Sequence, residues 1–433
     1  MTIVIQNGTI IDETGERRAS VRVDDGVIAD VAEHVDVPAG AEILDAEGAV
    51  VCPGLVDIQV HFREPGKEEA ETIETGARGA ALGGFTGVVA MPNTLPPLDD
   101  AAVMAAVLAE GEKAICDVTF AGCITLGRAG EELAPMGELY DLGVRVFTDD
   151  GDCVSNAKLM RRAFEYASAL QGAVIAQHAE DPNLVAGGHM NEGVMSAQLG
   201  IPGRPREAEA IIVARDVILA AALNARYHVL HLSTAEACEI VRVAKARGVR
   251  VTTEVSPQHL SLTDEKCATF DPVFKMNPPL RTQRDVEAMR AGLLDGTIDA
   301  IATDHAPHAP ETKEQPFEQA PPGMLGTETA LAVALTNLVQ PGLMTLQQVI
   351  GKLSWEPCRV YPYLHERGHG RPVAVGEPAN LTVFDPNALW RVDAHRMASK
   401  SNNSPFAGEV LNGKVRHTIL RGEPVVINGE PQR

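Results

Sequence analysis

Histidines and aspartates close several short β-rich runs of this chain. Gln59 and His61 lie two apart in DIQVHFREPG, and Asp149 and Asp150 are adjacent in TDDG. His178 follows in AQHAED, His231 in HLST, and Asp304 with His305 in ATDHAPH. Residues i and i+2 of a strand share a face, so Gln59 and His61 are expected to point the same way. Imidazoles and carboxylates converging from four or five strand ends suit a divalent, zinc-type site, and strand termini fix ligand geometry better than loops do. A lone His at a strand end is more often a packing residue, which is the reading for His189, His228 and His259. His61, His178, His231 and Asp304 are set apart because each ends a separate strand. Of Asp149 and Asp150 at most one should point inward, leaving the other to cap a loop or helix.

The elements that must position these groups alternate. β-rich runs are expected at Val50–Val60, Gly84–Met91, Asp117–Thr125, Val144–Asp149, Ala173–Gln177, Tyr227–Leu232, Val249–Val255 and Ile298–Thr303. Stretches with helical spacing separate them, among them Lys158–Leu170, Arg206–Asn224 and Ala235–Ala246. This alternation predicts βαβ units, and eight strands close an α/β, (β/α)8 TIM-type barrel. A doubly wound open sheet is the alternative, but polar residues past the ends of many strands favour the barrel, where those ends converge. Residues 1–52 and 371–433 instead show short alternating strands, with a hairpin signal at Asp25-Gly26. Neither end can bury a core alone, so the two are expected to form one small β-sandwich domain beside a barrel spanning 53–370.

The chain has 433 residues, and 37 Lys+Arg against 59 Asp+Glu give a formal charge of −22. Such acidity repels phosphate backbones, so no nucleic-acid partner is expected. No apolar run approaches the roughly 18 residues that cross a membrane, and no membrane partner is expected. MTIVIQNGTI lacks the basic start of a secretory signal. The seven cysteines are scattered without CxxC pairs, which fits reduced thiols and a cytoplasmic location. A small molecule is the expected partner.

HFREPG (61–66), MPNT (91–94), TDDG (148–151), QHAED (177–181), HLST (231–234), NPPLR (277–281), ATDHAPH (302–308) and PGMLGTETAL (322–331) form an ordered set along nearly the whole length. With them the chain resembles the dihydroorotases of the amidohydrolase superfamily, in the bacterial type whose metal site is bridged by aspartate. The resemblance implies a zinc-dependent cyclic amidohydrolase with one or two Zn2+ per chain, interconverting N-carbamoyl-L-aspartate and L-dihydroorotate. It implies that His61 and Asp304 bind one metal, His178 and His231 the second, and that Asp150 bridges them. Arg63, Asn93 and His308 would grip the substrate carboxylate; Asn277, with backbone of Pro322 and Gly323 nearby, would meet the ring amide. Asp304 would also take the proton of the attacking water and pass it to the leaving nitrogen. Relatives bridged by a carboxylated lysine, as a hydantoinase-like reading requires, fit less well, since the nearest downstream lysine, Lys158, falls in the following helix. A homodimer and an aspartate carbamoyltransferase partner are the associations implied.

Gln59 departs from the family's His-x-His, and a glutamine amide is a poorer zinc donor than imidazole. It is therefore a doubtful sixth ligand. Gln258 is a second departure, in SPQH where relatives commonly show two histidines. Three explanations of Gln59 stay open: a natural variant with a weakened first metal, an introduced substitution, or a chain that has lost catalysis and serves as a carbamoyltransferase scaffold. An allantoinase-like activity is a further alternative, against which Arg63 argues, because a neutral ring gives that cation nothing to pair with. Arg63 could instead form a surface pair with Glu64 or Glu68, and Asn93 could simply form a turn. The Pro/Gln/Glu-rich stretch Lys313–Pro322 could serve as a lid.

Overall fold

A computed structural model describes residues 1–432. Eight strands form the central barrel: β1 (Leu55–Val60), β2 (Phe85–Ala90), β3 (Asp117–Phe120), β4 (Val146–Phe147), β5 (Val174–Gln177), β6 (Tyr227–Val229), β7 (Val251–Val255) and β8 (Ala300–Ile301). All neighbours pair parallel, in two arcs, β1 to β3 and β4 to β8. Parallel bridges from Gly122 to Phe147 and from Val60 to His305 join the arcs and close the barrel. The open-sheet alternative is thereby excluded. Alternate residues such as Val56, Ile58, Val174, Ala176, Ala300 and Ala302 pack into one interior cluster, which Tyr361 and Leu364 also join. The opposite faces of the strands meet the surrounding helices in a second, larger cluster.

Several strands end earlier than the runs of β-branched residues suggest. The run 144–149 keeps only Val146–Phe147 in the ladder. Its last residues leave because Asp149 turns to bond the loop after β3: its Oδ1 accepts from Ile124 N at 2.8 Å and Thr125 N at 3.0 Å. The run 50–60 divides in two. Val50–Pro53 pairs antiparallel with Leu381–Arg391, and β1 begins after Gly54. A Cβ at Gly54 would lie 2.2 Å from Thr86 Oγ1 on β2, so only glycine passes this crossing.

The two chain ends build one nine-stranded sheet, in which Val50–Pro53 links the strands of residues 2–45 to those of residues 381–431. Asp25 and Gly26 both take positive φ (48° and 87°), as a two-residue type I′ hairpin requires. Ile3, Ile5, Val21, Val51, Leu381 and Val383 fill the core of this sheet.

Gly54→Ala should therefore destabilise the protein by about 1–3 kcal/mol, the range of overpacking in a filled core. Urea denaturation reads the loss, and combining it with Thr86→Ala should recover part of it.

Candidate metal centre and anion pocket

Five strand ends deliver side chains to one pocket floor. His61 follows β1, Asp150 β4, His178 β5, His231 β6 and Asp304 β8, and all five are buried. His61 Nε2 lies 3.0 Å from Asp304 Oδ1 and 3.2 Å from Asp150 Oδ2. His178 Nδ1 lies 2.9 Å from His231 Nε2 and 3.6 Å from Asp150 Oδ1, to which His231 Nε2 is 3.4 Å away. One ligand atom each of Asp150, His178 and His231 falls within 4.8 Å of the others.

The outer nitrogens of two rings fix what the inner ones offer. His61 Nδ1 is 2.8 Å from Asn93 Oδ1, an oxygen that only accepts, so Nδ1 carries the hydrogen and Nε2 presents a lone pair to the two carboxylates. His178 Nε2 likewise donates to Glu180 Oε2 at 3.2 Å, freeing Nδ1 for the floor. Glu180 is held in turn by Arg204 at 2.9 Å and Arg281 at 3.7 Å, and against burial these partners and His178 hold its pKa down to about 2. Burial opposes a charged His178, yet Asp150 and Glu180 push its pKa up to about 10. Burial also opposes a charged Asp150, and the neighbouring imidazoles overcome it, holding the carboxyl well below the usual range. A divalent cation would compete with a proton for this floor. Both Asp150 oxygens and His231 Nδ1 are buried without a hydrogen-bond partner. Three imidazoles and two carboxylates form a donor set that fits zinc. His231 and Asp304 also hold left-handed backbone (φ 32° and 48°), a strain of the kind stored at functional sites.

The pocket is lined by His61, Arg63, Asn93, Asp150, His178, His231, Asn277, Asp304, His308, Pro322 and Gly323. Of the residues the sequence assigned to metal or substrate, Gln59 is the one that does not line it; its side-chain amide is buried, with neither atom hydrogen-bonded among the described residues. Arg63 pairs with neither adjacent acid: Glu64 accepts from Ile73 N and Glu68 from Gly66 N. Its Nε donates to Pro307 O at 3.0 Å, and burial pushes its pKa down to about 10. Burial keeps His308 neutral, its pKa drawn down to about 2, and its Nε2 lies 2.8 Å from Pro322 O. The segment before Pro322 is tied down by Lys313 Nζ, which donates to Pro272 O at 2.7 Å and Pro321 O at 2.9 Å. His228 and His259 make internal hydrogen bonds, to Thr252 at 2.8 Å and to Ser256 at 2.8 Å.

Lys67, Arg128, Gly151 and Ala306 also line the pocket and were not singled out in the sequence. Glu180 was a further omission, although its place two residues past His178 in AQHAED was a usable signal.

A sequence profile described as Dihydro-orotase-like matches residues 48–237. The dihydroorotase of Streptomyces coelicolor is 48% identical over 419 residues, covering 96% of this chain and 97% of its own. That of Pelotomaculum thermopropionicum is 47% identical over 431 residues, covering 98% and 99%. The chain belongs to the dihydroorotase family. The fold is wider than the family: an L-hydantoinase (dihydropyrimidinase) from Arthrobacter aurescens superposes with a TM-score of 0.89 at 26% identity, covering 100% of this chain and 97% of its own. A dihydropyrimidinase from Brevibacillus agri gives 0.86 at 23% identity, covering 100% and 96%, a likeness of fold alone.

In this dihydroorotase-family site Glu180 orients a ring that faces the floor. If the floor holds a divalent metal, Glu180→Gln should weaken its binding about tenfold to a hundredfold, as losses behind a metal-facing histidine do. Competition with a chromophoric chelator measures it.

Proposed function

We propose that the protein is a zinc-dependent dihydroorotase that interconverts N-carbamoyl-L-aspartate and L-dihydroorotate in pyrimidine synthesis. The observation that carries this reading is one pocket in which an imidazole–carboxylate floor adjoins a buried guanidinium, Arg63, that forms no ion pair among the described residues. His61, Asp150, His178, His231 and Asp304 would hold the metal, with Gln59 a doubtful addition. Bound zinc supplies Lewis-acid polarisation of the ring carbonyl and a water acidified to a pKa of about 7. Asp304 would serve as general base and acid, moving a proton from the attacking water to the leaving ring nitrogen. Arg63 offers a planar fork to the substrate carboxylate, while Asn93 binds His61 through its oxygen and keeps its NH2 free for the same anion. Asn277, His308 and the Pro322–Gly323 backbone complete the wall against the ring.

A carbamoyltransferase scaffold would need neither the buried Arg63 nor the five-residue floor, and only Gln59 favours that reading. An allantoinase-like activity would leave Arg63 buried without an anion. The scattering of the cysteines without CxxC pairs supports a cytoplasmic setting. Helix Glu207–Leu223 exposes Ile211 and Ile218 by 52% and 67% on its outer side, a face that a homodimer would cover.

Turnover of L-dihydroorotate by the zinc-supplemented protein tests the reading. Asp304→Asn, compared with the parent at matched zinc content, should lose about a hundredfold or more in kcat; near-parental turnover would remove Asp304 as the proton carrier. Gln59→His should raise both the zinc content per chain, read by elemental analysis, and turnover. No change in either would show that position 59 is not a ligand.

A further inference from the structure

Arg128 reaches the pocket from the loop after β3. The loop is built to present it. Asp149 accepts from Ile124 N, Thr125 N and the Thr125 hydroxyl, Asp99 Oδ2 accepts from Gly127 N at 2.6 Å, and Arg128 N donates to Thr125 O at 3.1 Å. Gly127 and Arg128 are both left-handed (φ 60° and 56°), an unfavourable backbone for an arginine that serves no purpose there.

The side chain is four-fifths covered yet poorly satisfied. Nη2 bonds Asp152, a carboxylate 58% exposed, and Nε is buried without any acceptor. Gly151, next to Asp150, lets it approach: a Cβ there would stand 3.2 Å from Arg128 Nη2 and 3.3 Å from Asn93 Nδ2. Arg128 and the free NH2 of Asn93 therefore flank the same backbone. Burial is the first cause drawing down the pKa of both Arg63 and Lys67; the charge of Arg63 adds to the effect at Lys67, and that of Arg128 at both. Three cations line this pocket, and the carboxylate that bonds Arg128 is an exposed one, an arrangement that suits an anionic ligand.

We propose that Arg128 is a second guanidinium for the substrate carboxylate, acting beside Asn93 and together with Arg63. This rests on the dihydroorotase reading. The carboxylate is spectator to ring opening and keeps its charge throughout. A group that grips it binds ground and transition states alike, so its loss appears in KM rather than kcat. Since the equilibrium fixes the ratio of the two kcat/KM values, both directions must lose by one factor.

Arg128→Asn removes the guanidinium while keeping a residue that tolerates left-handed backbone. In the zinc-loaded enzyme it should raise KM for L-dihydroorotate about tenfold or more, with kcat within about threefold. Arg128→Lys, which keeps the charge but not the fork, should recover part of the loss. Zinc content and melting temperature should match the parent. A KM within about twofold of the parent overturns the proposal. So does a rise that accompanies lost zinc and that lysine does not relieve, since that marks a loop that has merely collapsed. If the parent itself shows no turnover, the functional reading fails separately, and calorimetric titration of both proteins with L-dihydroorotate decides Arg128. Binding about tenfold weaker in the variant supports it; equal binding, or none to either protein, overturns it.

Discussion

Lone pairs crowd the floor of the barrel mouth, and the rest of the site follows from that. His61, His178 and His231 point nitrogen at Asp150 and Asp304 across gaps of 3.0–3.6 Å. Such an arrangement is repulsive unless a proton or a metal cation occupies it. Asn93 and Glu180 fix the outer nitrogens of His61 and His178 and so prevent those two rings from escaping by changing tautomer. Left-handed backbone at His231 and Asp304 adds a strain of roughly 1–3 kcal/mol each. A closed barrel can hold these positions because each ends a strand that is paired on both sides.

The Asp149-Asp150 pair shows how one dipeptide serves two shells of the same site. Asp150 turns into the floor, where it faces three imidazoles. Asp149 turns outward and takes two backbone hydrogens and a hydroxyl from the loop after β3. The metal floor and the loop that carries Arg128 are therefore fastened to adjacent residues. A shift in either would be felt by the other over a single peptide unit.

Much of this was legible in the sequence, for physical reasons that differ by residue. His61, His178, His231 and Asp304 end β-rich runs, and the convergence of strand ends follows from the barrel itself. The hairpin at Asp25-Gly26 was readable because few dipeptides tolerate two positive φ values. Arg128 was not, because nothing in GRAG distinguishes a surface arginine from one turned inward by a loop whose shape depends on a carboxylate twenty-one residues away. The break at Gly54 was hidden for a similar reason: the clash that forbids a side chain comes from Thr86 on the next strand. The strand at 144–149 was overestimated because Asp149, at the mouth, leaves the ladder to accept from Ile124 N and Thr125.

The overall charge of −22 would disfavour an anionic substrate if charge acted at long range. It does not, since at physiological ionic strength screening sets in over about 8 Å. What an approaching carboxylate meets at the mouth is Arg63, Lys67 and Arg128, not the distant acids. Inside, burial strengthens that local field. It also explains why Asp150 and Asp304 can lie near bound substrate: a divalent metal would neutralise both carboxylates, leaving the guanidiniums as uncompensated charge. An empty floor would instead draw Arg63 toward Asp304 and Asp150, whose fields already favour its charged form. Metal loading and anion affinity are thus coupled through the same few ångströms, so that a protein stripped of metal should bind its carboxylate substrate less well even before any chemistry is asked of it.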